Sequence, residues 1–314
     1  GRRYPICLIR PTDTDKLKDV FIVVSLTNKR SLWAQAKSLP ILPVAVIVML
    51  LLVGIFAPLI SPFDPLDGDL DYRNAEPSWM ECVNCPDGTS PYLLGGDHIG
   101  RDILTRIIFG TRISLIVAGT VLFFGTFIGT MLGLLSGYLG GVVDEIIMRL
   151  VDFMYAIPFI LVVLVAAVLW SPSLMLVIIL LSIFTWPPFA RQVRAETLSL
   201  KEMDYVSLAR VSGTSALRIC IRHILPGLFN TVLVMASLQV GSLVVTESVL
   251  SFLGVGIPAP QPSWGSMVAE GRNYMSTAWW ISFFPGVAIL LIVFSMNFLG
   301  DWLRDKLDPR LRQL

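Results

Sequence analysis

Histidine, cysteine and charge are all scarce in this chain. Among 314 residues there are two His and four Cys, and only 15% are Asp, Glu, Lys or Arg. Soluble domains carry about a quarter charged residues, so the composition excludes an ordinary one. Two His leave little for a catalytic metal centre, and four Cys without a regular repeat exclude a disulfide scaffold. A net charge of +1 gives a nucleic-acid partner no electrostatic support. The sequence Gly-x4-Gly-Lys-Ser/Thr does not occur, so no P-loop holds ATP phosphates. What abounds is apolar: 54% of residues are hydrophobic and the mean hydropathy is +0.73. These residues gather into long blocks, the signature of a polytopic membrane protein.

A helix needs about 20 mostly apolar residues to cross the hydrocarbon layer. Six blocks qualify: residues 41–60, 113–136, 150–169, 172–189, 224–245 and 279–299. The expected fold is therefore all-α with six transmembrane helices. Ser171-Pro172 reads as the N-cap and first-turn proline of the fourth span. Lys and Arg set the direction. With both termini inside, 19 of the 24 basic residues fall on the cytoplasmic side, against Arg73, Arg101, Arg106, Arg112 and Arg272 outside. The expected organisation is a cytoplasmic segment over 1–40 and a membrane domain over 41–314. Within that domain an extracytoplasmic loop and interfacial helix cover 62–112, and a cytoplasmic loop covers 191–223. Trp170, Trp186, Trp279, Trp280 and Trp302 lie near span ends, where an amphipathic indole prefers to sit. Pro158, Pro187, Pro188 and Pro285 fall in or beside spans, and each frees a carbonyl, so those helices belong in a packed bundle.

The inside loop between spans four and five carries the strongest local signals. Ser199-Leu-Lys-Glu202 fits a capping box, a short helix through Met203, Val206 and Ala209-Arg210 follows, and Gly213 suits its left-handed C-cap. A second helical stretch over 215–223 leads into Leu225-Pro226. A short helix held outside the bilayer by two spans can plug a groove in a partner or lie on lipid. On the other side, Ile99, Ile103, Leu104, Ile107 and Ile108 make an apolar stripe opposite Arg101, Asp102, Thr105 and Arg106. This predicts an interfacial helix over 98–112 with an Asp102–Arg106 pair, acting as a brace or a docking surface. Arg149 and Asp152, three apart, are expected to pair.

Several blocks resemble one family. Asp204-Tyr-Val-Ser-Leu-Ala-Arg-Val-Ser-Gly213, nine residues, then His223-Ile-Leu-Pro226 is similar to the EAA loop of ABC importer permeases, Glu-Ala-Ala-x3-Gly-x9-Ile-x-Leu-Pro. Ala209, Gly213, Leu225 and Pro226 match, while Ser207, Leu208 and His223 depart from the pattern. Leu94-Gly-Gly-Asp-His-Ile-Gly-Arg-Asp-Ile-Leu-Thr-Arg106 with Gly110-Thr-Arg-Ile-Ser-Leu115 resembles the dipeptide/oligopeptide/nickel branch. So do Glu247–Pro258, Pro262–Arg272 and Asn297–Arg310. The similarity covers about residue 31 to the C-terminus and is to the C-type subunit.

The resemblance implies a type I ABC importer permease in a bacterial or archaeal cytoplasmic membrane, itself no enzyme and with no cofactor of its own. It implies a homologous B-type permease partner, two cytoplasmic ATPase subunits that carry ATP and Mg, and an extracytoplasmic substrate-binding protein. It further implies alternating-access uptake of di- or oligopeptides. The alternative is the same machine carrying nickel or another small solute. A channel or secondary transporter is the rival from another class, and nothing here resembles a selectivity filter or an inverted repeat. The residues expected to couple to the ATPase are Met203, Asp204, Tyr205, Ala209, Arg210, Gly213, Leu225 and Pro226.

Polar groups in span five, Gln239 and Ser242, and Glu247 at its end are pathway candidates, because intramembrane polar groups are costly and mark function or packing. Cys82-Val-Asn-Cys85 lies in the outer loop, outside the family pattern. A local disulfide or free thiols suit it. Cys82, Cys85, His98 and Asp102 also approximate zinc-ligand spacing, without a second His to complete the set.

Overall fold

The computed structural model describes residues 40–258 and 260–307. The leader, with Cys7 and the apolar run over 20–26, lies outside the described residues, as does the end of the C-terminal motif. The chain divides into two units, Gly1–Ile41 and Leu42–Leu314, and the second carries all that follows.

The regular elements of the described chain are helices, separated by an irregular loop over 61–102: α1 (Ile41–Ile55), α2 (Ala57–Ile60), α3 (Ile103–Leu139), α4 (Gly141–Ala156), α5 (Phe159–Leu169), α6 (Leu174–Leu200), α7 (Asp204–Val211), α8 (Ala216–Ile219), α9 (Leu225–Phe252), α10 (Trp264–Gly271) and α11 (Trp280–Leu307). Among the described residues, four helices are long and apolar enough to cross a membrane: α3, α6, the continuous run Ala216–Phe252, and α11. There are five if α4 and α5, which meet at 78°, form one bent span. The bend has a local cause. Pro158 has no N–H to offer the Met154 carbonyl, and it pushes Ile157 to φ −90°, ψ 122°.

The first expected span is shorter than the sequence reading. The helix ends at Ile55, ahead of Pro58, and α2 restarts after Phe56. Fifteen residues rise about 22 Å, short of a hydrocarbon core of about 30 Å. The second span is longer, because the expected interfacial helix and the span are one 37-residue helix, α3.

Between 22 and 39% of each long span's most apolar window is buried within the chain. Phe123, Phe127, Leu161, Val165 and Val168 all face outward. Such a surface requires lipid or partner helices to cover it.

The most extensive helix packing joins α3 to α6. Gly125, Gly129, Gly133 and Gly137 recur every fourth residue on one face of α3, each against an α6 atom. A Cβ on Gly129 would lie 2.5 Å from the Trp186 carbonyl oxygen, and one on Gly133 2.5 Å from that of Ala190. Small residues at this spacing let two backbones meet where apolar packing has no aqueous driving force. Pro187 and Pro188 stand inside α6 at this level. Beyond them, Lys201 Nζ donates to the Gly137 carbonyl at 3.0 Å. Arg194 Nη2 donates to Asp144 Oδ2 at 2.6 Å, and Ser136 donates to the same carboxylate.

Other local expectations change for physical reasons. The α6 N-cap is Ser173, whose Oγ accepts the Leu176 N–H at 3.1 Å, so Ser171 does not cap it. Because α6 runs on to Leu200, residues 191–200 are helix rather than loop, and the Ser199–Glu202 capping box does not form. Trp186 is buried against Val151 and Ala190 instead of lying at a membrane surface. Trp280 is buried and donates to the Gly96 carbonyl at 3.2 Å. Arg149 pairs with Glu145 and Asp152 with Arg191, at 3.3 and 2.7 Å. Both pairs are exposed and contribute little.

Candidate functional site: an elbow, a cavity and an ion-pair lock

The elbow between α6 and α9 is built from short-range rules. Met203 precedes α7 in extended conformation, and its carbonyl accepts from Val206 and Ser207 at 3.0 and 3.1 Å. The helix ends in a Schellman motif: the Gly213 N–H bonds the Arg210 carbonyl and the Thr214 N–H that of Ala209, each at 3.1 Å. Gly213 has φ +77°, a conformation that a side chain disfavours.

One face of α7 turns inward. Val206 is fully buried and Ala209 half-buried, in a cluster with Leu134 of α3, Val193 of α6, and Ile219, Ile224 and Leu228. The Tyr205 hydroxyl donates to the His223 carbonyl at 3.5 Å. The opposite face is open: Met203, Tyr205, Leu208 and Val211 are 46, 44, 67 and 88% exposed, alongside exposed Asp204 and Arg210.

From α8 the backbone widens into a π-turn over Cys220–Ile224, with the Leu225 N–H bonding the Cys220 carbonyl. Pro226 explains it. Its ring would strike the carbonyl four residues back, at Arg222, in a regular helix, and it has no N–H to give. Leu225 packs against the buried cluster while Pro226 remains exposed. The eight expected coupling residues thus share one structural unit, braced against α3, α6 and α9 chiefly through Val206, which sequence reading had placed on the helix without a role.

Higher on α9, a cavity of about 240 Å³ opens between helices that are not straight. The α4–α5 bend contributes Tyr155, Ile157 and Phe159. Thr185 and Pro187 come from α6, and Gln239, Leu243 and Thr246 from α9. Gln239 therefore lines this cavity. Ser242 is exposed, and its carbonyl accepts the Thr246 hydroxyl at 2.8 Å. Glu247 is placed elsewhere. It is 1% exposed, a full turn inside the end of α9, and accepts the Ser251 hydroxyl at 2.8 Å. It does not line the cavity.

At the start of α3, the sequence reading sets Arg101, Asp102, Thr105 and Arg106 on the polar side of an interfacial helix, whereas all four are buried. Asp102 is the N-cap of α3, accepting the Thr105 N–H and hydroxyl at 2.9 and 2.7 Å, so it does not pair with Arg106. Arg106 reaches Asp97 at 2.5 Å and both oxygens of Glu270 on α10, at 2.7 and 3.2 Å. Arg101 reaches the same two carboxylates at 2.6 and 3.1 Å. Burial alone would raise the Asp97 pKa. The Arg106 and Arg101 guanidiniums, with the Arg101 and Ile99 amides, more than offset that and hold it below the usual carboxylate value. Trp264 of α10 donates to the Ile107 carbonyl at 3.2 Å. The blocks at 94–106 and 262–272, far apart in sequence, are therefore one lock. Asp97, His98 and Glu270 come close enough to suggest a metal cluster, but two arginines already neutralise the carboxylates. His98 stacks on Tyr274 and does not join the cysteines, while Cys82 and Cys85 form a disulfide.

The sequence profile described as "Binding-protein-dependent transport system inner membrane component" matches residues 129–313. The dipeptide transport system permease protein DppC of Escherichia coli strain K12 is 41% identical over 85% of this chain and 87% of its own length. The di/tripeptide permease protein DppC of Pseudomonas aeruginosa is 36% identical over 84 and 86%. The oligopeptide permease protein OppC of Salmonella typhimurium is 39% identical over 90 and 93%. Among solved structures, a chain of the inward-facing MetNI methionine ABC transporter superposes with a TM-score of 0.53, at 20% identity, over 66% of this chain and 98% of that one. That likeness is one of fold. The helical permease fold, the elbow and the extent of these matches lead to one assignment: the chain belongs to the inner-membrane permeases of binding-protein-dependent ABC importers, as a C-type subunit of the dipeptide/oligopeptide branch.

Proposed function

We propose that this chain forms one transmembrane half of an importer that carries di- or oligopeptides across a bacterial-type inner membrane. The observation that carries this is 36–41% identity, over most of both chains, to dipeptide and oligopeptide permeases. A homologous B-type permease forms the other half. Two cytoplasmic ATPase subunits hold ATP and Mg, and a substrate-binding protein delivers the peptide from outside. The chain itself catalyses nothing. In this reading it crosses the membrane six times with both termini cytoplasmic. The segment over 1–40 and the elbow then lie inside, and the loop over 62–112 lies outside. Span one is α1 with α2, and span three is the bent α4–α5 pair. The count rests on hydropathy, and the direction on the 19-to-5 split of basic residues.

The mechanism follows from α9. Its lower end carries the elbow, and Gln239 faces the cavity 14 residues above Leu225, about 21 Å along one helix. Nucleotide-driven closure of the ATPases displaces the open apolar face of α7. Val206 and the Schellman turn keep α7 rigid against α9, so the displacement reaches the cavity wall. ATP shifts the balance of inward- and outward-open states only by its differential affinity for them. A cavity with a few polar groups, such as Gln239 and Thr246, suits a peptide backbone without selecting side chains, which the binding protein can do. The test is uptake of labelled dipeptide, longer peptide and nickel ion by cells expressing the whole complex and lacking their own carriers. Peptide uptake abolished by deleting this chain supports the reading, and nickel uptake alone overturns the substrate.

A further inference from the structure

We propose that the outer loop closed by Cys82 and Cys85 is a redox-gated site for a soft divalent metal ion of the zinc class. The reduced pair and the Glu76 carboxylate would be its ligands. The two sulfurs and one carboxylate oxygen of Glu76 all lie within 4.8 Å of one another. The sulfurs, bonded to each other here, separate on reduction, and metal–sulfur bonds of about 2.3 Å at the tetrahedral angle set them about 3.8 Å apart; C-x2-C is a recurrent zinc-ligand spacing.

The second observation is Glu76 itself. It is 9% exposed, and its described hydrogen-bond donors include the Asn84 side chain at 3.1 Å and the Asn84 backbone N–H at 3.4 Å, both from within the same loop. No Lys or Arg among the described residues forms an ion pair with it. A buried carboxylate is costly without a cation, and a metal ion would supply one. The loop is braced for this: Ser78 N–H bonds the Tyr92 carbonyl at 3.0 Å, and Cys82 packs with Ala75 and Tyr92.

In the oxidised state the sulfurs are bonded to each other and the site is closed. A dithiol reductant breaks that bond by delivering two electrons and two protons, and itself becomes a disulfide. The ion then displaces the two thiol protons to solvent and takes both thiolates, leaving a fourth position for water.

The test uses the full chain purified in detergent, with Cys7→Ser and Cys220→Ala so that only two thiols remain. It is reduced with a phosphine and titrated anaerobically with cobalt(II), then with zinc(II) as competitor. The expected result is a thiolate-to-cobalt charge-transfer band with tetrahedral visible bands, saturating at one ion per chain and absent from the oxidised protein. Glu76→Gln should weaken binding about tenfold or more while the thiol count stays the same. Zinc-edge X-ray absorption on the reduced wild-type chain should show two sulfur neighbours and avoids dependence on the variants. No sulfur-to-cobalt band, saturation at half an ion per chain, or unchanged affinity in Glu76→Gln would each overturn the assignment.

Discussion

Two glycines on α3 offer a controlled comparison, because they share a helix and differ in what surrounds them. A Cβ on Gly119 meets nothing within 4 Å. A Cβ on Gly133 would stand 2.5 Å from the Ala190 carbonyl oxygen, 2.8 Å from Val193 Cβ and 3.1 Å from Ala190 Cα. Replacing either by Ala brings the same helix-propensity gain, about 0.8–1 kcal/mol. At Gly133 the obstructing atoms are α6 backbone and a β-carbon, so no side-chain rotation relieves them, and the helices must part by nearly 1 Å. Overpacking of this kind costs about 1–3 kcal/mol. Gly119→Ala should therefore be more stable than wild type, and Gly133→Ala should lie about 1–3 kcal/mol below Gly119→Ala. Gly129→Ala/Gly133→Ala should fall further, since the two share one interface and couple. The assay is thermal unfolding of purified chain in detergent, read by labelling of buried Cys220. If Gly133→Ala matches or exceeds Gly119→Ala, α3 and α6 are not in the close contact described here.

Arg106→Leu removes the cation that bridges Asp97 and Glu270, leaves buried carboxylates under-compensated, and should destabilise the chain by about 3–5 kcal/mol in the same assay. An exposed control, Arg149→Leu, should shift it by less than about 1 kcal/mol. Because the folded-state pKa of Asp97 is lowered, its contribution is complete above the unfolded carboxylate pKa of about 4 and is lost as pH falls through the lower folded value. Melting temperature plotted from pH 7 downward should then converge between wild type and Asp97→Asn in acid, and a gap that does not vary with pH would refute the shift. Gly213→Val forces a β-branched residue to φ +77° and should strain the turn by about 1–3 kcal/mol. In the assembled transporter, uptake should fall while ATP hydrolysis persists, and unchanged coupled uptake would defeat the role given to the turn. Val206→Ala deletes two buried methyl groups, about 1.6 kcal/mol of transfer free energy before any cavity term. It should reduce uptake per ATP hydrolysed without affecting assembly.

What could be read from sequence was what neighbours decide. The Gly213 turn and the membrane blocks are local, so the C-cap and the helical bundle followed directly. The lock at Arg101 and Arg106 was misread because helical periodicity assumes that a polar face meets water. Glu270, which makes that face internal, lies more than 160 residues away along the chain. Hydropathy likewise stops where the lipid stops, so the polar end of α6 over 191–200 looked like loop although its hydrogen bonds continue. Glu247 reads from sequence as a polar group beside an apolar block, and its burial and its bond from Ser251 are not visible in that pattern. The glycine ladder was legible and overlooked: residues spaced by four, inside a span, on one face.

These features divide the molecule into stiff and compliant parts, and the division limits where motion can occur. Along α3 and α6, backbone meets backbone at four successive turns, and interfaces packed that closely shift as a body or not at all. Departures from regular helix outside α3 and α6 include the π-turn over Cys220–Ile224 and the bend at Ile157–Pro158. The bend borders the cavity through Ile157, and the π-turn joins the elbow to α9. In the proposed mechanism a push on α7 meets the α3–α6 wall through Val206 and Leu134, and the motion assigned to it is rotation of α9 against that wall. Rotation there carries Gln239 and Thr246 past the α4–α5 bend, which changes the cavity without disturbing the glycine contacts. Alternating access on this plan requires α9 and the bent pair to move while α3 and α6 keep their register.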